Sequence, residues 1–464
     1  MKPFVPLLLT SLLMASACAV GPDYVIPTTP AVTAFKAPVD APDRWRTAQP
    51  SDALDRGDWW TLFGDETLNA LAARAETANQ TIAAAEAAYR QARAATRETR
   101  AGLFPSVSLD GSGATSGGGS TADSDAYQVG IGGTWEPDFW GRIRRSVEAN
   151  DASAQAGAAD LASAHLSIQG ELAANYLNLR EADAETALLD QTLAGYERAL
   201  EITRNRYEAG IAPRTDVLQA ETTLANARSE RIGLERTRTT YENAIAVLVG
   251  EPASSFTLSA ADWTPTVPDV PVGLPSTLLE RRPDIASAER AVAAANAQIG
   301  VRQAAFFPTV SLTGSSNQNA SSLGDLFASS ANVWSLGASL AQTLFDAGAR
   351  GAAVDQARAA YDASVAAYRQ TVLTAFQDVE DQLTAGDVLR RQYVQLETAS
   401  RAADQTEAMI LNQYRAGTVA YTDVVTAQAT ALSARRALLQ GAVDRQTTAV
   451  ALIQAIGGGW TSGN

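Results

Sequence analysis

Two periods of apolar residues alternate along the chain. Over residues 127–135, Tyr127, Val129, Ile131 and Trp135 share one face of an extended segment, with Gln128, Gly130, Gly132 and Thr134 on the other. Residues 334–340 repeat this, with Trp334, Leu336, Ala338 and Leu340 opposite Ser335, Gly337 and Ser339. Val107 and Leu109 oppose Ser106, Ser108 and Asp110, and Val310 and Leu312 oppose Thr309, Ser311 and Thr313. Period two with one apolar and one polar face predicts four strands. They pair as two hairpins, over 105–137 and 308–345, with polar loops at 111–125 and 317–332.

The other long stretches are helical. Residues 66–102 are Ala-rich and charged and predict one helix ending near Gly102. Leu161, Ile168, Asn175, Ala182, Leu189 and Tyr196 recur at seven-residue spacing, interleaved with His165, Leu172, Leu179, Thr186, Leu193 and Leu200. That is a heptad seam. Tyr361, Val365, Tyr368, Val372 and Val379 repeat it. Further helices are predicted over about 140–208, 213–249 and 276–304. At 1.5 Å per residue the first would reach about 100 Å, roughly three bilayer cores, with faces too polar for lipid. The helices over 66–102 and 213–249 each have about half that length. Stacked end to end they match the long one, giving a helical body with strands at one end and turns at the other.

The chain carries its pattern twice. "NRYEAGIAPRTDV" (205–217) returns as "NQYRAGTVAYTDV" (412–424), and "LFPSVSLDGS" (103–112) as "FFPTVSLTGS" (306–315). Two copies of one unit, residues 65–250 and 277–457, are flanked by Pro-rich segments at 18–64 and 251–276 and a short tail at 458–464. In each copy an Ala-Gly pair, Ala209-Gly210 or Ala416-Gly417, ends a long helix. Glycine there supplies the left-handed residue that closes a helix and turns the chain.

Charge and composition narrow the function. The 464 residues carry a net charge of −15 and only two lysines, Lys2 and Lys36. An acidic chain lacks the basic footprint of nucleic-acid binding. One cysteine, Cys18, and one histidine, His165, exclude a disulfide framework and all but exclude a His-based triad or a multi-His metal site. His165 falls in the heptad seam, where packing accounts for it. No phosphate-cradling Gly-Lys motif or nucleophile elbow is present. The chain reads as a non-enzyme without cofactor or metal.

The N-terminus reads as an export signal. Lys2 is followed by "FVPLLLTSLLM" and then by "ASAC", small residues ahead of Cys18. This resembles a bacterial lipobox, with Ala15 where that pattern has Leu. It implies removal of residues 1–17, acylation of Cys18 and, with no Asp after Cys18, sorting to the outer membrane. The alternative is an ordinary secretory signal with an incidental cysteine. No later window offers the roughly 18 apolar residues of a membrane-spanning helix. Lipid contact therefore falls to the anchor and the strands. An open sheet in lipid leaves backbone groups unpaired, so spanning sheets close. Barrels have even strand numbers from about eight upward. Four strands per chain reach eight with two copies or twelve with three.

Several blocks together resemble the outer membrane efflux protein family of TolC-type factors, in its NodT-type lipoprotein branch. They are "CAVGPDY" (18–24), "DWWTLFGDETLNAL" (58–71), "LLERRPDIASAERAVAAANAQIGVRQAAFFPTVSL" (278–312) and "IGGGW" (456–460). The resemblance implies a mainly α fold with a membrane β-barrel portion. Three chains would form one twelve-stranded barrel and one long periplasmic helical barrel, belted by the linkers and tail. It also implies a passive duct for small molecules, docked on a periplasmic adaptor (membrane fusion) protein and an inner-membrane resistance–nodulation–division transporter.

By the same resemblance, the turns at Ala209, Gly210, Ala416 and Gly417 are tips that touch the adaptor. Asp423 is the periplasmic gate acid, and the family's second acid falls at Thr426. Asp216 is the first-copy counterpart of Asp423. Both lie in the first turn of a helix, where an acid complements the helix dipole. Tyr207, Tyr414, Arg206 and Arg214 are candidates to tie neighbouring helices shut. Two alternatives stay open: a duct for type I protein secretion, and a lipid-anchored periplasmic coiled-coil scaffold.

Overall fold

The computed structural model describes residues 19–29, 35–36, 57–119, 121–270 and 281–458. The expected signal at 1–17, Cys18, linker residues 271–276 and tail residues 459–464 lie outside them. In chain order the elements are α1 (Glu66–Ala78), α2 (Gln80–Ala101), β1 (Ser106–Gly118), β2 (Thr121–Trp135), α3 (Arg142–Glu208), α4 (Arg214–Leu248), α5 (Pro283–Ala304), β3 (Thr309–Ala320), β4 (Asn332–Ala341), α6 (Ala349–Ala416) and α7 (Tyr421–Ala455). Helices α3 and α6 have 67 and 68 residues, and α4 and α7 have 35 each. None among the described residues is long and apolar enough to cross a membrane. The chain divides into two compact units, with α3 and α6 contributing to both.

One unit comprises residues 1–30, 86–160 and 284–371 and contains the sheet. Its four strands lie in the order β1-β2-β3-β4, every pair antiparallel. The register pairs Leu109 with Ile131, Trp135 with Leu312, Val310 with Leu340 and Gly314 with Leu336. Directly paired residues share a face, so the apolar positions of all four strands form one side. That side is bare: Leu109 is 76% exposed, Leu336 82% and Leu340 69%.

The strands run further than their apolar alternation. Residues 111–118 and 121–125, expected as loop, continue the first hairpin. Thr115 donates to Asp125 at 2.8 Å, and the Ser116 and Ser124 hydroxyls lie 2.9 Å apart. In the second hairpin 317–320 belong to β3, with Asn317 opposite Val333. Glycine and serine show no apolar period, but the backbone ladder does not need one.

Aromatic residues gather where the sheet joins the helices. Trp140 stacks on Phe307 at 4.7 Å and donates to the Pro308 carbonyl at 2.8 Å. Trp135 donates to the Leu103 carbonyl at 3.0 Å. Phe104, Phe306 and Phe345 remain exposed there. An N-terminal strap, residues 19–29, is fastened to the helices of this unit. Val20 N–H donates to the Trp140 carbonyl, Arg145 to the Val20 carbonyl and to Asp23, and Asn296 to the Pro22 carbonyl, at 3.0–3.2 Å. The Tyr24 hydroxyl donates to the fully buried Glu289 carboxylate.

The other unit comprises residues 31–85, 161–283 and 372–464. The "DWWTLFGDETL" block forms a short 3₁₀ turn (Trp59–Phe63) leading into α1. Trp59, Trp60, Phe63, Leu68 and Leu71 bury themselves against Leu172, Tyr176 and Leu179 of α3, Ile245 of α4, and Val450 and Ile453 of α7. Asp65 caps α1, accepting from Thr67 N–H (2.8 Å) and Leu68 N–H (3.1 Å), and also accepts from the Tyr176 hydroxyl at 2.6 Å. The heptad positions Leu172, Leu179 and Leu189 are fully buried.

The single helix expected over 66–102 is broken at Asn79, which adopts extended backbone. Its Oδ1 accepts from Thr81 N–H (2.8 Å) and Ile82 N–H (3.1 Å), and its Nδ2 donates to the Leu248 carbonyl at 2.8 Å. Asparagine competes for backbone groups in this way and so favours caps over helix interiors. A like contact recurs where α5 begins, as Arg282 donates to the Ala455 carbonyl at 3.1 Å.

His165 makes a polar tie as well as packing in the seam. Its Nδ1 lies 2.6 Å from the Glu76 carboxylate, which also accepts from Gln169 at 2.6 Å. Burial opposes ionisation of Glu76, but these two bonds prevail and hold its pKa below the ordinary value. The linker after α4 is pinned by charge. Arg180 bonds Asp183 (2.9 Å) and the Ser259 carbonyl (2.9 Å), Arg238 bonds Asp183 (2.7 Å), and Leu258 N–H donates to Glu242 (2.7 Å).

Candidate functional site

The two Ala-Gly turns have the same backbone construction. Gly210 has φ +69° and Gly417 φ +78°. Gly210 N–H donates to the Tyr207 carbonyl at 2.9 Å, and Ile211 N–H reaches back to Arg206 at 2.8 Å. In the second turn Gly417 N–H donates to the Tyr414 carbonyl at 2.9 Å and Thr418 N–H to Gln413 at 3.0 Å. These are Schellman caps, which satisfy carbonyls that the helix end would leave unpaired. Ala209, Gly210, Ala416 and Gly417 are all exposed.

Beneath the turns lies a small core. Tyr414, Tyr421 and Val424 of the second copy pack on Tyr196 and Leu200 of α3 and on Val217, Ala220 and Leu224 of α4. The rings of Tyr414 and Tyr421 meet edge to face at 5.3 Å. The Tyr414 hydroxyl lies 3.4 Å from the Thr203 hydroxyl. Burial, followed by the neighbouring Tyr414, Tyr196 and Asp216, pushes the Tyr421 hydroxyl up to about 12. Tyr421 and Thr203 escaped sequence reasoning. Neither has a counterpart of its own type in the other copy, where Arg214 and Ile410 stand.

Of the four candidate ties, the structure brings two together. Arg206 Nη1 donates to the Tyr414 carbonyl at 2.9 Å, and its guanidinium lies 4.8 Å from the centre of the Tyr414 ring. A cation at the C-terminal carbonyls of α6 also complements that helix's dipole. Tyr207 and Arg214 are exposed, and their side chains make no hydrogen bond or ion pair among the described residues.

Asp423 is exposed in the first turn of α7, and its carboxylate accepts from Ala420 N–H at 3.2 Å. Ala420 has no side-chain acceptor to complete a capping box. Thr426, one turn on, is exposed and spends its hydroxyl on the Thr422 carbonyl at 2.9 Å. It adds a neutral group where a second acid was expected from the resemblance. Asp216 is half-buried in the first turn of α4, beside Tyr421. Asp423 and Thr426 line an open groove of about 520 Å³ between α6 and α7, with Ala399, Ala403, Ile410 and Ala427. Among the described residues no cluster of His, Asp or Glu side chains is placed to hold a metal ion.

The model of the outer membrane efflux protein family matches residues 71–251 and again 274–458. The chain belongs to the outer membrane efflux protein family. It is 33% identical over 450 residues to the pyoverdine export outer membrane protein OpmQ of Pseudomonas aeruginosa, covering 92% of this chain and 94% of OpmQ. It is 30% identical over 473 residues to the toluene efflux pump outer membrane protein TtgC of Pseudomonas putida, covering 99% and 96%. The open-state crystal structure of the MtrE outer membrane channel of Neisseria gonorrhoeae superposes with a TM-score of 0.85 at 29% identity, over 95% of this chain and 98% of MtrE. Members of this family are channel proteins. This one is an efflux channel of the outer membrane that extends into the periplasm.

Proposed function

We propose that three copies of this chain assemble into a passive duct. Their twelve strands close one barrel in the outer membrane, and their paired long helices form the periplasmic tube. The observation that carries this is the four-stranded sheet, with one continuous bare apolar face and edges at β1 and β4. Such a face is stable against lipid, and such edges are stable there only when paired with another copy. The aromatic group around Trp140 and Phe307 fits the girdle that barrels carry at the membrane interface. The near-equal lengths of α3 and α6, and of α4 and α7, support two structural repeats per chain.

The duct receives small molecules, drugs or other toxic compounds, from an inner-membrane resistance–nodulation–division transporter through a periplasmic adaptor. The activities for which OpmQ and TtgC are named, pyoverdine export and toluene efflux, support a small-molecule cargo. Cargo choice rests with the pump, because the duct needs a water-filled bore and a gate but no binding site. The adaptor meets the exposed turns at Ala209, Gly210, Ala416 and Gly417. Asp423 from each copy converges at the periplasmic mouth, with Asp216 and Thr426 beside it. The linker pinned by Arg180 and Arg238 forms part of an equatorial belt.

Cys18 carries a covalent lipid. Ala19, its neighbour, lies against Gly141, beside the aromatic residues at the root of the sheet, which supports an anchor entering the adjacent leaflet. Purified protein in planar bilayers tests the whole reading. We expect stepwise conductance and a trimer by native mass spectrometry in detergent; a trimer that never conducts would overturn the duct.

A further inference from the structure

The face of the sheet opposite the bare apolar side presents serine, threonine, asparagine, glutamine and small residues, with one valine, Val333. Among the described side chains of the strands, only Asp110 brings a charge to this face. Asp125, towards the hairpin end, falls on the apolar side, where it accepts from the Thr115 hydroxyl at 2.8 Å. None of the four strands contains a basic residue.

One row of pairs crosses the sheet at this acid. Asp110 stands opposite Gly130, Gly130 opposite Asn317, and Asn317 opposite Val333. Gly130 has no side chain, and the Asn317 amide leans over it, with Oδ1 in the space that a Cβ at 130 would take. Asn317 Nδ2 donates to the Ser315 hydroxyl at 3.4 Å. The Ser108 hydroxyl donates to Asp110 Oδ2 at 3.1 Å and holds the exposed carboxylate on this face. The row therefore combines a carboxylate and an amide oxygen, both acceptors, and has no counter-charge of its own.

We infer that Asp110 sets the charge selectivity of the duct within the membrane, as one carboxylate per copy on an otherwise neutral bore. The inference rests on the trimeric barrel proposed above, which turns the polar face inward. Four residues into β1, Asp110 stands about 10 Å above the root of the sheet, level with Leu109 and Ile131 of the lipid-facing side. Twelve strands about 4.8 Å apart and tilted by about 40° close on a backbone radius of about 12 Å. Side chains narrow the water-filled space further. Fixed charges reach about 10 Å through 0.1 M salt and about 30 Å through 0.01 M. Three carboxylates on this wall therefore act across the whole bore at low salt, drawing in cations and repelling anions. Hydroxyl and amide groups elsewhere on the face wet the bore without adding a charge of either sign.

The test is the reversal potential of the full chain in planar bilayers under a potassium chloride gradient, with oligomeric state read by native mass spectrometry. Asp110→Asn keeps an acceptor for Ser108 and removes the charge. We expect it to lower the ratio of cation to anion permeability severalfold near 0.01 M salt. The effect should shrink near 1 M, where the screening length is about 3 Å. Asp110→Lys should turn the preference towards anions, and Asp125→Asn, on the other face, should leave it unchanged. The fall should persist in the Asp423→Ala background, which separates the barrel acid from the gate acid. Where Asp110→Asn fails to assemble, Asp110→Ser repeats the hydroxyl of its neighbours on this face and carries the same measurement. A conducting trimer with an unshifted reversal potential would overturn the role of Asp110 and leave the duct standing. An unaltered chain that forms trimers and never conducts would overturn both.

Discussion

Arg206, at the end of the first long helix, donates to the backbone carbonyl of Tyr414 at 2.9 Å and lies over the ring of that residue. One side chain thus caps the second long helix and covers the aromatic residue at the centre of the tip core. Arg206→Ala removes a charge-assisted hydrogen bond and a cation–π contact, together about 2 kcal/mol. Amide exchange at 414–420 should speed up by on the order of tenfold or more. Arg206→Lys, which keeps the charge and loses the planar fork, should recover only part of the protection. Unchanged exchange in Arg206→Ala would remove it as a tie.

The two cap glycines predict a contrast with a glycine inside a helix. Gly210→Ala and Gly417→Ala force a side chain into the left-handed region and should each cost about 1–2 kcal/mol. Gly195 lies inside α3, and an added Cβ there meets nothing within 4 Å. Gly195→Ala should be neutral or stabilise by up to about 1 kcal/mol. Differential scanning calorimetry of the three variants checks the ordering.

Asp423→Ala should reduce the preference of the duct for cations over anions. The reversal potential under a salt gradient measures it, and an unshifted value takes Asp423 out of the gate. Asp216→Ala provides the comparison, because Asp216 is half-buried beside Tyr421 and should leave selectivity nearly unchanged.

Glu181 of α3 supplies a pH dependence. Burial first, then the charges of Glu185 and Asp444, raise its carboxyl to about 7 from an ordinary value of 4.5. An acid whose folded pKa is raised binds its proton more tightly in the folded chain. Its contribution is therefore greatest below about 4.5 and is lost as pH rises towards 7. Glu181→Gln should flatten the fall in melting temperature between these values and stabilise the protein more at pH 8 than at pH 5. A fall in melting temperature of the same size in Glu181→Gln would exclude this group as its source.

Cys18→Ala, exported with its signal intact, should lose the lipid mass and still form trimers. The strap at 19–29 is held by Arg145, Asn296 and Glu289 rather than by lipid. Intact-mass and native spectra read the two outcomes separately. A lipid-free variant that never trimerises would make the anchor part of assembly.

The helical body and the strand faces were legible in the chain because one-sided burial imposes a period. Leu172, Leu179 and Leu189 mark a buried seam at spacings of seven and ten, and Val107 and Leu109 mark a bare apolar face at spacing two. The turns were legible because a left-handed residue calls for glycine. Strand ends were not, because the Gly- and Ser-rich stretch at 111–118 pairs through its backbone and leaves no apolar mark. Nor was the break at Asn79, where one side chain trades helix continuity for a bond to a residue 169 positions away.

By itself the sequence determined which segments are helix and strand, that the chain uses its pattern twice, and where the two turns fall. Local periodicity and backbone stereochemistry suffice for each of these. Only the tertiary structure decided that the two turns are unequal. Tyr414 is buried while Tyr207 is bare, and one groove is filled while its counterpart stays open. Two nearly identical local sequences cannot show this, because the difference lies in which distant residues each one packs against.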